Sequence, residues 1–246
     1  MCLITERIAP RHPMWRKDAA SHFQRYRFAG PFVSGRRVLD AGCGVGYGSK
    51  MLAEFGAIEV VAVDIAEEAL STARSSFAHP VVHFVQDDLE SLATQNSRFD
   101  IIVALESFEH LQRPGDFLRR AAELLCPSGV LICSTPRGAG ANSGHKPENQ
   151  YHVAEYTAAE FATLLAIHFS DIKILGQHWT AAARGLTVLW SNPFMRMGRL
   201  LQRIRGRRVG ELFVSPELLA TEGDLVISEA NYDLAWTLIG VCRGPK

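Results

Sequence analysis

Apolar residues recur along this chain in two alternating rhythms. Short apolar runs read as buried strands: Val38-Leu39, Glu59 to Asp64, Val81 to Val85, Phe99 to Leu105, Val130 to Thr135, Ile172 to Leu175 and Leu234 to Cys242. Between them lie stretches with helical spacing, over Asp18 to Phe28, after Gly48, over Ala66 to Phe77, and from about Asp116 to Leu125. A further helix starts at Thr157, an N-cap with Glu160 three residues on, and its apolar face holds Phe161, Leu164, Leu165 and Ile167 to Phe169. Pro127-Ser128-Gly129 reads as a turn. Strands alternating with helices at this rhythm predict an α/β fold built on a parallel, doubly wound sheet.

The first strand ends in Asp40 and runs into Gly42, Gly44, Gly46 and Gly48. Glycine at every second position lets a ligand lie on the backbone, and the helix that follows offers its N-terminus. The dinucleotide fingerprint G-x-G-x-x-G fails in both registers, because Tyr47 and Ser49 occupy its last glycine. Asp64 ends the second strand 22 residues after Gly42, near the spacing of an acid that binds a ribose diol; an Asp there can also cap the next helix.

Composition changes the picture little. The 246 residues are 47% hydrophobic and 21% charged with formal net charge zero, the profile of an ordinary globular protein with no global field for nucleic acid. No run approaches the roughly 18 apolar residues of a membrane span, and the N-terminus does not read as a signal peptide. Five scattered cysteines without C-x-x-C spacing read as reduced thiols, so a cytoplasmic location is expected. One region stands apart: from Ile172 to Gly210 there is no acid but eight basic residues, Arg196, Arg199, Arg203 and Arg207 among them. A helix from about Pro193 to Arg205 would carry these arginines opposite Met197, Leu200, Leu201 and Ile204. Such a helix can rest on an anionic membrane or meet an anionic substrate through residues 196–208, but more often packs on the body with its arginines solvated.

The acid-x-G-x-G-x-G run from Asp40 resembles the first motif of the class I S-adenosylmethionine-dependent methyltransferases. That resemblance covers most of residues 20 to 176 and weakly the last strand, and it implies a Rossmann-like doubly wound sheet of seven strands with the last one antiparallel, and S-adenosylmethionine as cofactor. Asp40, Gly42, Gly44 and Gly46 would form its loop, and Asp64 with Ile65 would meet the ribose. Asp87 or Asp88 would accept from the adenine amino group, with Leu89 flanking the ring and Leu105 closing the fourth strand beside the cofactor. The His-x-x-Arg-Tyr segment is similar to a lid over the cofactor's methionine end, which makes Arg25 and Tyr26 candidates there; a helix merely packed on the sheet edge is the alternative.

Glu106-Ser107-Phe108-Glu109-His110 follows the fourth strand. On a helical turn Glu106, Glu109 and His110 share a side and could converge on Mg²⁺ or another divalent metal. This spacing resembles metal-assisted relatives, the ubiquinone-pathway catechol O-methyltransferases and the enzymes that methylate the terminal ribose of small RNAs; the resemblance to the latter implies a further histidine ligand, a place His152 or His145 could fill. Without metal, His110 or His152 would serve as general base. Residues 134 to 161 are also similar to methyltransferases of glycan and secondary-metabolite pathways.

The expected organisation is a single domain: an arm and lid helix over 1–35, a cofactor core over 36–176, an α-helical insertion or cap over 177–232, and the last strand over 233–246. The expected activity is O-methylation of a small-molecule or sugar hydroxyl. RNA-terminal ribose methylation, a non-catalytic cofactor-binding protein and a dehydrogenase are the alternatives; net charge and the failed fingerprint weigh against the first and the last. The sequence leaves the oligomeric state open.

Overall fold

A computed structural model describes residues 15–141, 147, 149–180, 225–229 and 235–246, with side-chain detail in the first helix from Ala20. Residues 1–14 of the expected arm, His145 and the arginine helix near 196–208 lie outside the described residues.

The elements run α1 (Trp15–Val33), β1 (Arg37–Ala41), α2 (Tyr47–Glu54), β2 (Glu59–Asp64), α3 (Glu67–Ser76), β3 (Val82–Gln86), β4 (Phe99–Ala104), a 3-10 turn (Phe108–His110), α4 (Pro114–Leu124), β5 (Leu125–Pro136), α5 (Ala158–Ala166), β6 (Phe169–Trp179), β7 (Leu225–Ser228) and β8 (Thr237–Pro245). The sheet has eight strands in the order β3-β2-β1-β4-β5-β8-β6-β7. β1 to β5 are parallel, and β8 runs antiparallel between β5 and β6. The expected seven-stranded sheet is thus present with one strand added at its outer edge.

Both faces are covered, so neighbouring residues of each inner strand feed opposite cores. Val38, Ile101, Val103, Ile132 and Val241 pack with Leu52, Leu70 and Val33 of the first three helices. Leu39, Ile102, Leu131 and Leu238 pack instead with Phe117, Leu118, Phe161 and Leu165 of α4 and α5. At α5 the capping box is present: the Thr157 hydroxyl accepts from the Glu160 amide at 3.2 Å and the Glu160 carboxylate accepts from the Thr157 amide at 3.0 Å.

Three expectations need correction. Ile167 is 60% exposed, because α5 ends at Ala166 and the chain turns away from the apolar stripe there. The turn at 127–129 lies within β5, where Phe99 pairs with Leu125 and Ile101 with Val130, so the added residues are absorbed as an irregularity of the strand. The region expected as an α-helical insertion over 177–232 has strand at both described ends. β6 continues to Trp179, and Leu225–Ser228 pairs with it antiparallel. Among the described residues, no helix is long and apolar enough to cross a membrane.

Candidate active site

In an open parallel sheet, ligands bind beyond the carboxyl ends of the strands where the strand order reverses. Here that point lies between β1 and β4. The glycine loop follows β1, and the Glu106 to His110 segment follows β4.

The loop is built by contacts that need small residues. Gly42, Gly44 and Gly46 have φ of 84°, 53° and 88°, a region that side chains with a Cβ rarely adopt. A Cβ on Gly44 would meet nothing within 4 Å, so at this position the backbone faces open space. At Gly48 the reason differs: a Cβ would fall inside the ring of Tyr26. Tyr26 lies across the start of α2 and donates its hydroxyl to Asp40 Oδ1 at 3.2 Å, while Ser49 donates to Oδ2 at 2.6 Å. Asp40 is wholly buried, and burial outweighs these two hydrogen bonds and raises its carboxyl from 3.8 to about 6. Asp40 therefore acts inside the loop, tying α1 and α2 to β1.

Asp64 accepts the Gly44 amide and the Ala66 amide, both at 2.9 Å, so it locks the loop from the neighbouring strand and turns the chain into α3. Ile65 beside it is 60% exposed. The two adjacent acids after β3 separate cleanly. Asp87 is buried and accepts from the amides of Asp88, Ala93 and Thr94 and from the Thr94 hydroxyl. Asp88 is exposed, and its Oδ1 accepts the Glu90 amide. Leu89 is buried against the core, with Cδ2 3.5 Å from where a Cβ of Gly42 would stand. Leu105 is buried in the core shared with α1 and α2.

Glu106 breaks with the metal set expected from the sequence. It has φ of 51°, which is strained for a residue with a side chain. Its amide and carboxylate both engage Ser134, and its Oε2 lies 3.6 Å from the Arg25 guanidinium. The left-handed backbone turns this side chain toward β5 and α1, out of register with Glu109 and His110. The cluster the structure does assemble is Glu109, His110 and His152, whose ligand atoms all lie within 4.8 Å of one another.

Hydrogen bonds fix both imidazoles. His110 Nδ1 lies 3.1 Å from the Tyr151 carbonyl, which can only accept, so Nδ1 carries the proton and Nε2 the lone pair, 3.9 Å from Glu109 Oε1. His152 Nδ1 lies 2.7 Å from Glu155 Oε1, and its Nε2 lies 3.0 Å from the Asn149 amide nitrogen. Asn149 Oδ1 takes the Tyr151 amide, which turns its NH₂ toward the imidazole and assigns His152 the same tautomer. The two rings meet edge to face at 5.3 Å. Glu109 is 1% exposed with Oε2 unpartnered, and burial, with Glu106 nearby, pushes its carboxyl well above the usual range. Its backbone carbonyl accepts the Val153 amide at 2.6 Å, which ties the post-β4 turn to the loop bearing His152.

Across this edge lies α1. Arg25 is 2% exposed; Nη1 donates to Gln177 Oε1 at 2.5 Å and Nε has no partner. His22, whose imidazole burial and Arg25 hold neutral, has Nδ1 2.9 Å from the Tyr47 hydroxyl. Ser49, Ser134, Asn149 and Gln177 were not anticipated. Ser49 follows the glycine motif directly, and Gln177 lies just past the expected end of its strand.

Comparison with known proteins gives a consistent result. The family model described as "Methyltransferase domain" matches residues 14–189. A protein of Mycobacterium tuberculosis named "Probable S-adenosylmethionine-dependent methyltransferase" is 35% identical over 153 residues, 61% of this chain and 55% of that protein. A "Ubiquinone biosynthesis O-methyltransferase" of Azorhizobium caulinodans is 43% identical over 105 residues, 42% of this chain and 41% of its own. The chain spans about half the length of the curated relatives it matches. In fold it is similar to a Thermotoga maritima S-adenosylmethionine-dependent methyltransferase at TM-score 0.63 and 14% identity, over 94% of this chain and 92% of the other. With most of its length matched by the family model and its sheet shared with such structures, the chain belongs to the class I S-adenosylmethionine-dependent methyltransferases.

Proposed function

We propose that the protein transfers the methyl group of S-adenosylmethionine to a hydroxyl of a small molecule or sugar. The observation that supports this most is the pair of Nδ1-anchored imidazoles beside buried Glu109, at the edge where the glycine loop opens. A neutral hydroxyl is a poor nucleophile, so its proton must be taken as the methyl group arrives. An imidazole whose Nδ1–H is held by an acceptor offers Nε2 as that base; at His152 the Asn149 amide must first release it.

Bound S-adenosylmethionine supplies an electrophilic methyl on a sulfonium. The chain's own part is positioning, proton removal and exclusion of water. In this reading the Gly44 backbone lies beneath the cofactor, Asp64 accepts from the ribose hydroxyls and Ile65 covers the adenine. Asp88 takes the adenine amino group with Leu89 beside it, since Asp87 already has four donors. Leu105 borders the cofactor, and Arg25 and Tyr26 on α1 close over its methionine end. The relative named a ubiquinone biosynthesis O-methyltransferase supports oxygen as the accepting atom.

The test is turnover of S-adenosylmethionine against a panel of phenols, catechols, sugars and RNA 3′ ends, with His152→Ala and His110→Ala run beside the wild type. At least one hydroxyl acceptor should turn over, with kcat lowered roughly 10²-fold or more in the variant that lacks the base and S-adenosylhomocysteine affinity kept. Cofactor-analogue binding without turnover of any acceptor would favour a non-catalytic protein.

One observation favours a second reading, in which a divalent cation assists. One carboxylate and two imidazoles, each with its other nitrogen held by a carboxylate or carbonyl, form a donor set suited to Mn²⁺, Fe²⁺ or Zn²⁺ more than Mg²⁺. Glu109, His110 and His152 would hold the ion, and Asn149 would have to release His152 Nε2. A metal there would lower the pKa of a coordinated hydroxyl. Calorimetric titration of Mn²⁺ and Mg²⁺ into protein saturated with S-adenosylhomocysteine, alongside Glu109→Ala, decides it. Saturable binding lost in the variant supports the metal, and no binding leaves the histidine base alone.

A further inference from the structure

Arg25 and Gln177 form a buried polar pair of the site, and no motif includes the glutamine. Arg25 spends one N–H on Gln177 Oε1, lies 3.6 Å from a partly exposed Glu106 carboxylate, and keeps its buried Nε–H unpartnered. A buried guanidinium compensated this sparsely is a receptor for an anion. S-adenosylmethionine carries an α-carboxylate at its methionine end.

Gln177 is wholly buried, and its amide is fully used. Nε2 donates to the Ser21 carbonyl at 3.0 Å and to Gln24 Oε1 at 2.6 Å, while Oε1 accepts from Arg25. Ser21, Gln24 and Arg25 belong to one face of α1. Because both donors of the amide are committed to α1, its oxygen has a single orientation, toward the guanidinium. The backbone of Gln177 is fixed as well, paired with Thr237 on one side and Ile227 on the other. We propose that Gln177 is a positioning residue that aims the Arg25 guanidinium at the carboxylate of the bound cofactor. The inference rests on the reading that Arg25 meets the methionine end.

The experiment is calorimetric titration of S-adenosylhomocysteine and of 5′-methylthioadenosine, which lacks the amino-acid carboxylate, into the full chain and three variants. Gln177→Leu removes the acceptor at similar volume. Gln177→Glu keeps an oxygen toward Arg25 but loses both donors to α1. Arg25→Leu tests the underlying reading. We expect Gln177→Leu to weaken S-adenosylhomocysteine roughly tenfold, Gln177→Glu to weaken it at least as much because its added carboxylate competes for Arg25 and cannot donate to α1, and methylthioadenosine to bind all proteins alike. Equal weakening of both ligands in Gln177→Leu would overturn the proposal in favour of a general packing role. So would S-adenosylhomocysteine binding unchanged in either Gln177 variant. If Arg25→Leu binds S-adenosylhomocysteine as well as wild type does, the reading of Arg25 itself fails, a result distinct from failure at Gln177 alone.

Discussion

The Tyr26 hydroxyl reaches across from α1 to donate to Asp40 at the end of β1, so the helix covering the site and the strand beneath its glycine loop share one carboxylate. Ser49 supplies the second donor, yet burial still raises the carboxyl to about 6.

That gives a pH signature. A carboxyl raised from 3.8 to about 6 on folding contributes stability that is fully present below about 3.8 and lost as pH rises through about 6. The loss is on the order of 3 kcal/mol for a shift of this size. Asp40→Asn should therefore gain stability relative to wild type as pH climbs from 4 to 7. Urea denaturation of both proteins across that range tests it, and a constant difference would count against the raised group.

Gly48→Ala should destabilise by about 1–3 kcal/mol, since the new Cβ must displace the Tyr26 ring and with it the hydrogen bond to Asp40. In Tyr26→Ala the same glycine substitution should cost much less. The coupling in this double-mutant cycle is the readout, and additive effects would show that the ring is not the obstacle.

Asp87 and Asp88 should fail differently. Asp87→Ala leaves the amides at 88, 93 and 94 without their acceptor, so it should cost about 2 kcal/mol or more of folding stability. Asp88→Ala should leave stability nearly unchanged and weaken S-adenosylhomocysteine by roughly tenfold. Thermal melts and calorimetry on both variants separate the two roles, and the reverse pattern would reassign the adenine contact.

Glu155→Gln should lower kcat roughly tenfold with KM for the acceptor little changed, because an amide can donate as well as accept and leaves Asn149 alone to dictate which His152 nitrogen carries the proton. Nitrogen chemical shifts of His152 would show the tautomer directly. An unaltered Nδ1–H form in the variant would remove Glu155 from that role.

What the sequence made legible was whatever local pattern dictates. The period of apolar runs delivered the alternating strands and helices of the parallel half of the sheet, and Thr157 with Glu160 announced a cap that forms as expected. Spacing alone misread Glu106, because a helical turn assumes right-handed backbone and this residue takes φ of 51°. Two adjacent aspartates look alike in sequence; only the return of residues 93 and 94 onto Asp87 distinguishes them. Gln177 was invisible for a related reason. Its partners lie more than 150 positions away, and no periodicity reports a contact of that range.

The pairing of Trp179 with Leu225 has an architectural consequence. The chain departs from the sheet and rejoins it on a single rung, so the 45 residues between them hang from a clasp formed by β6 and β7. Closing a longer or shorter excursion between fixed ends changes the entropy only logarithmically. The clasp therefore makes the intervening segment exchangeable as a cassette, free to diverge in length and composition while β6 and β7 stay in register.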